Sequence, residues 1–137
     1  MRDAVIFDMD GLMLDTERVA KRTFDETCLE YNLLFDPAIY LSCIGSNLQR
    51  TADILEKSCR FFPRNAFMAA WNERYVQEAI LKPVPIKDGV IDFLKFLNAS
   101  GIPCAVATSS PQKNATLKLE HSGLIDHFQA LTFGDQV

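Results

Sequence analysis

Two carboxylates separated by one residue follow an apolar run near the start of the sequence. The run AVIF, residues 4 to 7, leads directly into Asp8, Met9, Asp10 and Gly11. Like charges at the end of a buried strand repel each other and are costly to desolvate, so this arrangement needs a compensating partner. A carboxylate can attack phosphorus directly, and a second acid can protonate the leaving oxygen and later activate water. The pattern therefore indicates Asp8 as a nucleophile and Asp10 as an acid and base.

The charge of these two carboxylates plus a phosphate dianion requires a cation. Mg²⁺ binds carboxylate and phosphate oxygens, so we expect magnesium at Asp8 and Asp10. Gly11 would let the chain turn away and bring backbone N–H groups close to the phosphate. An EF-hand loop counted from Asp8 is excluded, because its sixth and twelfth positions hold Met13 and Val19 instead of glycine and glutamate. A solvated Asp-Gly turn without catalytic function is the remaining alternative.

Hydroxyl side chains follow a second apolar run. The run IPCAVA, residues 102 to 107, precedes Thr108, Ser109 and Ser110, and a helix is predicted to begin at the next residue. Ligands of an open parallel sheet bind at the carboxyl ends of its strands, so neighbouring strands would place these hydroxyls opposite the carboxylates. The N-terminus of the predicted helix would offer N–H groups to a phosphate. Lys113 in its first turn either contacts that anion or is simply an exposed lysine.

The hydrophobic pattern predicts an α/β fold for the elements that carry these residues. Short apolar runs predict three strands, and helical patterns separate them. The order is strand, helical insert, helix, strand, helix, strand, which is typical of a parallel sheet interrupted after its first strand. We expect an incomplete Rossmann-like parallel sheet core and an inserted helical cap. The core would contain residues 1–13 and 85–137, and the cap residues 14–84.

Local signals predict where some helices begin and end. Ser46 and Gln49 have the spacing of a capping box. Asp88, near the end of the segment KPVPIKDG at residues 82–89, can cap the helix that follows this segment. Another helix is predicted from about residue 64 to residue 81. Its aromatic side chains recur every fourth residue and are interpreted as cap core, not as groups that stack on a substrate. These aromatic residues are Phe67, Trp71 and Tyr75.

The composition favours a small ligand over a large charged partner. The net charge is -4 and the sequence has no run of lysine or arginine, which argues against nucleic acid or an anionic membrane as the main partner. No stretch approaches the ~20 apolar residues that a membrane span needs. The 4 cysteines lack zinc-type spacing, and Asp3 lies where a signal peptide would be apolar. We expect a reduced, cytoplasmic protein with free thiols.

Three segments together resemble a known superfamily. They are FDMDGLMLDTE at residues 7–17, PIKDGV at residues 85–90 and AVATSS at residues 105–110. With a helical insert between the first two, the sequence resembles the haloacid dehalogenase superfamily, specifically its β-phosphoglucomutase-like subgroup. That resemblance implies a phosphatase of small phosphorylated metabolites, with a phosphomutase as the near alternative.

The resemblance also implies roles for individual residues. Asp8 would be the nucleophile and a magnesium ligand. Asp10 would be the acid and base, and its backbone carbonyl would bind magnesium. Thr108 would be the phosphate ligand of the second motif, helped by Ser109 and Ser110. Closure of the cap would exclude water before phosphoryl transfer.

The end of the sequence departs from the family pattern. Family members continue past the third strand with a lysine that neutralises the aspartyl-phosphate, and then with an acidic motif that completes the magnesium site. This sequence ends with GDQV, residues 134–137, before either element, and no upstream residue replaces that lysine by motif. We therefore expect a fragment of a longer phosphatase, and an incomplete sheet has an edge through which two chains could pair. The alternative to an enzyme is a fragment that has no catalytic activity.

Overall fold

The computed structural model describes residues 3–136, and its described part contains a parallel three-stranded sheet. The strands are β1 (Val5–Phe7), β2 (Cys104–Ala107) and β3 (Ala130–Thr132), in the order β1-β2-β3. Phe7 pairs with Val106, and Val106 pairs with Leu131. The predicted parallel α/β sheet is confirmed. Because the strands are parallel neighbours, the residues that follow β1 and β2 leave the sheet at the same edge.

Within residues 3–136, five of the six α-helices lie in the long segment between β1 and β2, and the sixth lies between β2 and β3. The helices are α1 (Thr16–Glu30), α2 (Pro37–Cys43), α3 (Leu48–Ser58), α4 (Arg64–Tyr75), α5 (Val90–Ala99) and α6 (Gln112–Ser122). The helix predicted from 64 to 81 is divided, because α4 is followed by a π-helical segment, Val76–Ile80. Within residues 3–136, no helix is long and apolar enough to cross a membrane.

The chain forms two compact units. The sheet unit contains the residues up to Lys21 and those from Tyr75 onward, and the helical unit contains Arg22–Arg74. These boundaries differ from the predicted insert of residues 14–84. The reason is that both ends of that insert pack into the core of the sheet unit, through side chains such as Val19 and Ala79. The function of the helical unit as a cap stays a prediction.

The core of the sheet unit fixes β1, the strand that precedes the carboxylates. Phe7 is 7% exposed, whereas its neighbour Ile6 is 71% exposed, as the alternation of a strand requires. Phe7 packs in one cluster with Val106 of β2 and with Leu94 and Leu119 of the flanking helices. Asp8 therefore follows a residue that is anchored in the core.

An aromatic cluster forms the core of the helical unit. The ring of Phe24 lies 4.9 Å from Tyr40 and 5.1 Å from Trp71, measured between centroids. Phe67 is fully buried in the same cluster, which confirms the prediction that Phe67 and Trp71 are core residues. The prediction was wrong for Tyr75, which packs against the core of the sheet unit.

Two predicted helix caps are corrected by the structure. The N-cap of α3 is Asn47 and not Ser46, and its side chain accepts a hydrogen bond of 2.8 Å from the N–H of Arg50. Asparagine caps a helix at least as well as serine, so the helix begins one residue later. Asp88 does not cap α5, because Gly89 is the N-cap with a φ of 84° and makes no side-chain capping bond.

The thiols differ in accessibility, which predicts their reactivity. All four cysteines are free, and Cys28, Cys43 and Cys104 are buried whereas Cys59 is partly exposed. Burial raises the pKa of the Cys104 thiol. Burial also raises the pKa of the Cys43 thiol, although a hydrogen bond with Ser42 opposes that shift. Since the thiolate is the reactive form, a higher pKa leaves less of it at mildly alkaline pH.

We expect Cys59 to react first with Ellman's reagent at mildly alkaline pH, and the three buried thiols to react fully only after unfolding. The control is Cys59→Ser, which should remove the fast phase. A fast phase that persists in this variant would contradict the assignment.

Candidate active site

The two carboxylates follow β1 on either side of a buried methionine. Asp8 is exposed, and its Oδ1 accepts a hydrogen bond of 2.8 Å from the N–H of Met9. Met9 is fully buried, which anchors the chain between the two acids. The side chain of Asp10 is 32% exposed. The structure therefore leaves Asp8 open to solvent and holds Asp10 partly inside the sheet unit.

A tight turn follows the second carboxylate. Gly11 has a φ of 78°, a left-handed conformation that favours glycine. Its N–H donates to the carbonyl of Leu14 at 2.9 Å, and the N–H of Leu14 donates to the carbonyl of Met9 at 3.2 Å. The N–H of Gly11 is thus engaged within the turn, so the predicted phosphate contact at this position depends on neighbouring groups and stays a prediction.

The PIKDGV segment supports this turn from the other side. The N–H of Asp15 donates to the carbonyl of Pro85 at 3.0 Å, and the N–H of Lys87 donates to the carbonyl of Met13 at 2.9 Å. These bonds join the segment that follows β1 to the segment that precedes α5, and both segments belong to the sheet unit. The motif therefore has a structural function, because it fixes the backbone of the carboxylate turn.

The structure brings the predicted hydroxyl residues to the carboxylate turn. The Oγ of Ser110 donates to Oδ2 of Asp10 at 2.9 Å. Thr108 is buried, and its Oγ1 accepts a hydrogen bond of 3.1 Å from the N–H of Ser110. Ser109 is exposed, and so is Lys113 in the first turn of α6. The ends of β1 and β2 are thus in direct side-chain contact through Asp10 and Ser110.

The residues after β3 hold the hydroxyl loop in place. The N–H of Thr108 donates to the carbonyl of Thr132 at 3.0 Å. The N–H of Gly134 donates to the carbonyl of Ser110 at 2.9 Å. The first bond connects the candidate phosphate-binding loop to β3, and the second connects it to the segment immediately after β3.

A carboxylate distant in sequence caps α6. Pro111 is the N-cap of this helix and makes no side-chain capping bond. Instead, Oδ1 of Asp135 accepts a hydrogen bond of 3.0 Å from the N–H of Gln112. The negative charge also suits the positive end of the helix dipole. One N–H group of the predicted phosphate site is therefore already bonded, and a phosphate would have to use its neighbours and the hydroxyl groups.

A buried lysine, which the sequence analysis missed, contacts the second carboxylate. Lys118 Nζ donates to Oδ1 of Asp10 at 3.0 Å and to the hydroxyl oxygen of Tyr75 at 3.0 Å. Burial lowers the pKa of Lys118, but Tyr75 and Asp10 raise it by more, so the net shift is upward. The signal in the sequence was a lysine on the same helix face as Ala115 and Leu119, which are buried.

The donors present fit a magnesium ion held partly by its substrate. Among residues 3–136, no group of three or more histidine, cysteine or acidic side chains could hold a metal ion. Mg²⁺ is often bound through one or two carboxylates plus waters and phosphate oxygens, which the exposed Asp8 can support. Both carboxylate oxygens of Asp10 already have protein partners, Lys118 and Ser110. Asp10 would therefore bind magnesium through its backbone carbonyl, as the resemblance implies.

Comparison with known proteins identifies relatives of the whole chain. The family model of haloacid dehalogenase-like hydrolases matches residues 5–137. A phosphorylated carbohydrates phosphatase of Thermotoga maritima is 29% identical over 98% of this chain and 62% of its own length. The fructose-1-phosphate phosphatase YqaB of Escherichia coli is 31% identical over 97% of this chain and 70% of its own length.

A solved structure with a similar fold also covers nearly all of this chain. A Thermotoga maritima protein provisionally named a beta-phosphoglucomutase superposes with a TM-score of 0.80 and 26% identity, over 98% of this chain and 62% of that one. The chain thus spans 62% of the length of the Thermotoga maritima phosphatase and a similar share of this structure. Since the family model covers nearly all of its residues, the chain belongs to the haloacid dehalogenase-like hydrolases.

Proposed function

We propose that this chain provides the nucleophile and the acid and base of a magnesium-dependent phosphatase that acts on small phosphorylated metabolites. The observation that carries the proposal is the contact of 2.9 Å between Asp10 and Ser110, beside an exposed Asp8. It brings carboxylate and hydroxyl groups to one edge of a parallel sheet, where ligands of such sheets bind. The names of the relatives, which include phosphatases of phosphorylated carbohydrates, support the same substrate class.

The proposed reaction has two steps. A carboxylate oxygen of Asp8 attacks phosphorus, the bond between phosphorus and the ester oxygen breaks, and Asp10 donates a proton to the leaving alcohol. Water then attacks the phosphorus of the aspartyl-phosphate and gives its proton to Asp10, which releases inorganic phosphate and restores Asp8. Thr108, Ser109 and Ser110 would hold the phosphate oxygens. Magnesium at Asp8 and Asp10 would balance the negative charge of the phosphate.

A phosphomutase is the second candidate, favoured by the beta-phosphoglucomutase name of a structural neighbour. It would use the same residues but return the phosphoryl group to a sugar instead of to water. A cytoplasmic location and pairing of two chains through a free sheet edge also stay predictions.

The test is phosphate release by the purified chain, whose intact mass is checked first. We expect release from p-nitrophenyl phosphate in the presence of magnesium, and its loss in excess EDTA. A phosphosugar panel would then compare free phosphate with isomerised sugar phosphate, because only a mutase accumulates the second product. A folded chain of correct mass that releases no phosphate and isomerises no sugar phosphate would overturn the proposed activity and favour a non-catalytic fragment.

A further inference from the structure

Lys118 is a charged residue placed on an apolar helix face. Its side chain is only 4% exposed. It lies on α6 beside Ala115 and Leu119, both of which are fully buried. Burial of an ammonium group is costly unless it is paired and hydrogen-bonded, and an apolar side chain of similar length would often be as stable there. The packing of α6 alone therefore does not account for a lysine at this position.

The partners of Lys118 give it a more specific function. Its Nζ binds Oδ1 of Asp10, and Ser110 Oγ binds the other carboxylate oxygen, at 3.0 and 2.9 Å respectively. A carboxylate held at both oxygens cannot rotate without breaking one of these bonds, and the bond to the lysine is charge-assisted. The hydroxyl of Tyr75 is also 3.0 Å from Nζ and fixes the ammonium group. Tyr75 is the last residue of α4, directly before the π-helical segment.

We propose that Lys118 is a positioning residue that sets the orientation of the Asp10 carboxylate, with Tyr75 holding the lysine in place. This inference rests on the proposed function, in which Asp10 transfers the proton. Lys118 acts through Asp10 and does not itself contact the reacting atoms. The family resemblance had placed a catalytic lysine beyond the third strand, so Lys118 is an additional residue with a different task.

The kinetic test compares four variants. Lys118→Met keeps an unbranched apolar stem and removes the charge, and we expect kcat to fall about 10- to 100-fold with KM nearly unchanged, because misorientation of a reacting group affects the chemical step. Lys118→Arg keeps the charge and should recover much of the loss. Tyr75→Phe should give a smaller decrease in kcat. Lys95→Met removes an exposed lysine of α5 and should match the wild type.

A spectroscopic test does not depend on turnover. In chain labelled with ¹³C at aspartate carboxyl groups, the Asp10 resonance is assigned by its absence in Asp10→Asn. We expect this resonance to shift in Lys118→Met, to shift less in Tyr75→Phe, and to stay unchanged in Lys95→Met. If Lys118→Met does not fold, Tyr75→Phe decides the question by the same resonance.

The outcomes separate this inference from the proposed function. An unchanged Asp10 resonance in folded Lys118→Met, or in folded Tyr75→Phe if the first variant does not fold, would overturn the positioning role. A decrease in the stability of Lys118→Met with an unchanged kcat would also overturn the positioning role, since that result is expected of an ion pair that only stabilises the fold. If the wild type itself has no turnover, the proposed function fails, and the Asp10 resonance alone decides whether Lys118 orients the carboxylate.

Discussion

Replacing Asp8 with asparagine is expected to reduce magnesium-dependent phosphate release by about 10³-fold or more, as removal of a covalent nucleophile does in other enzymes. The amide is nearly isosteric with the carboxylate, but it is a poor nucleophile and carries no charge for magnesium. The side chain is exposed, and an amide oxygen can still accept the hydrogen bond from the N–H of Met9. The change in the free energy of unfolding should therefore stay within about 0.5 kcal/mol.

The measurement is the initial rate of phosphate release, together with the intact mass of the chain after rapid acid quenching. The wild type should carry a phosphoryl group during turnover, and Asp8→Asn should not. Asp3→Asn is the matched control, because it removes one exposed carboxylate shortly before β1 without touching the candidate site. Phosphate release by Asp8→Asn at the wild-type rate would mean that another residue, or a contaminating enzyme, performs the reaction.

Much of the sheet could be predicted because its signals are local. Each strand is a short run of apolar residues bounded by turn residues, and glycine ends α6, where Gly123 has a φ of 76°. The helices between the strands then require parallel connections. Whether β1 and β2 are neighbours was left open by this order. The structure pairs them, and Asp10 and Ser110 meet as a result.

The residues that support the site were harder to predict because their signals are not local. Lys118 and Asp10 are 108 positions apart, and Asp135 caps α6 from 23 positions away. Neither contact can be inferred without knowing how α6 is rotated on the sheet and where the chain runs after β3. The short-range spacing of Ser46 and Gln49 did predict a helix start, but with the cap one residue too early, since Asn47 competes for the same role.

The helix predicted through Tyr75 shows a third kind of limit. Four-residue spacing correctly grouped Phe67 with Trp71, because both lie on one face of α4. Periodicity alone could not show that the chain passes from the helical unit to the sheet unit at the end of that helix. Tyr75 therefore continues the aromatic pattern in sequence but belongs to another core, where its hydroxyl binds Lys118.

Replacing Gly134 with alanine is expected to lower the free energy of unfolding by about 3 kcal/mol, at the upper end of the usual cost of overpacking. A Cβ atom at this position would lie 1.9 Å from the carbonyl oxygen of Ser109 and 2.6 Å from its carbonyl carbon. These are backbone atoms, so no side-chain rotation relieves the contact. The backbone of Gly134 lies outside the left-handed region, so glycine is needed here for space and not for its φ.

The same substitution should impair the site, because relief of the contact requires the hydroxyl loop to move by about 1 Å. A displacement of that size can reduce catalysis about 100-fold. Gly101→Ala is the matched control: its surroundings are open, its φ is 71°, and it should lose only about 1 kcal/mol of stability while phosphate release stays unchanged. Urea unfolding and phosphate release together decide the matter. If Gly134→Ala unfolds at the wild-type urea concentration, the segment after β3 does not pack against the hydroxyl loop as the structure indicates, and the support assigned to this segment would be wrong.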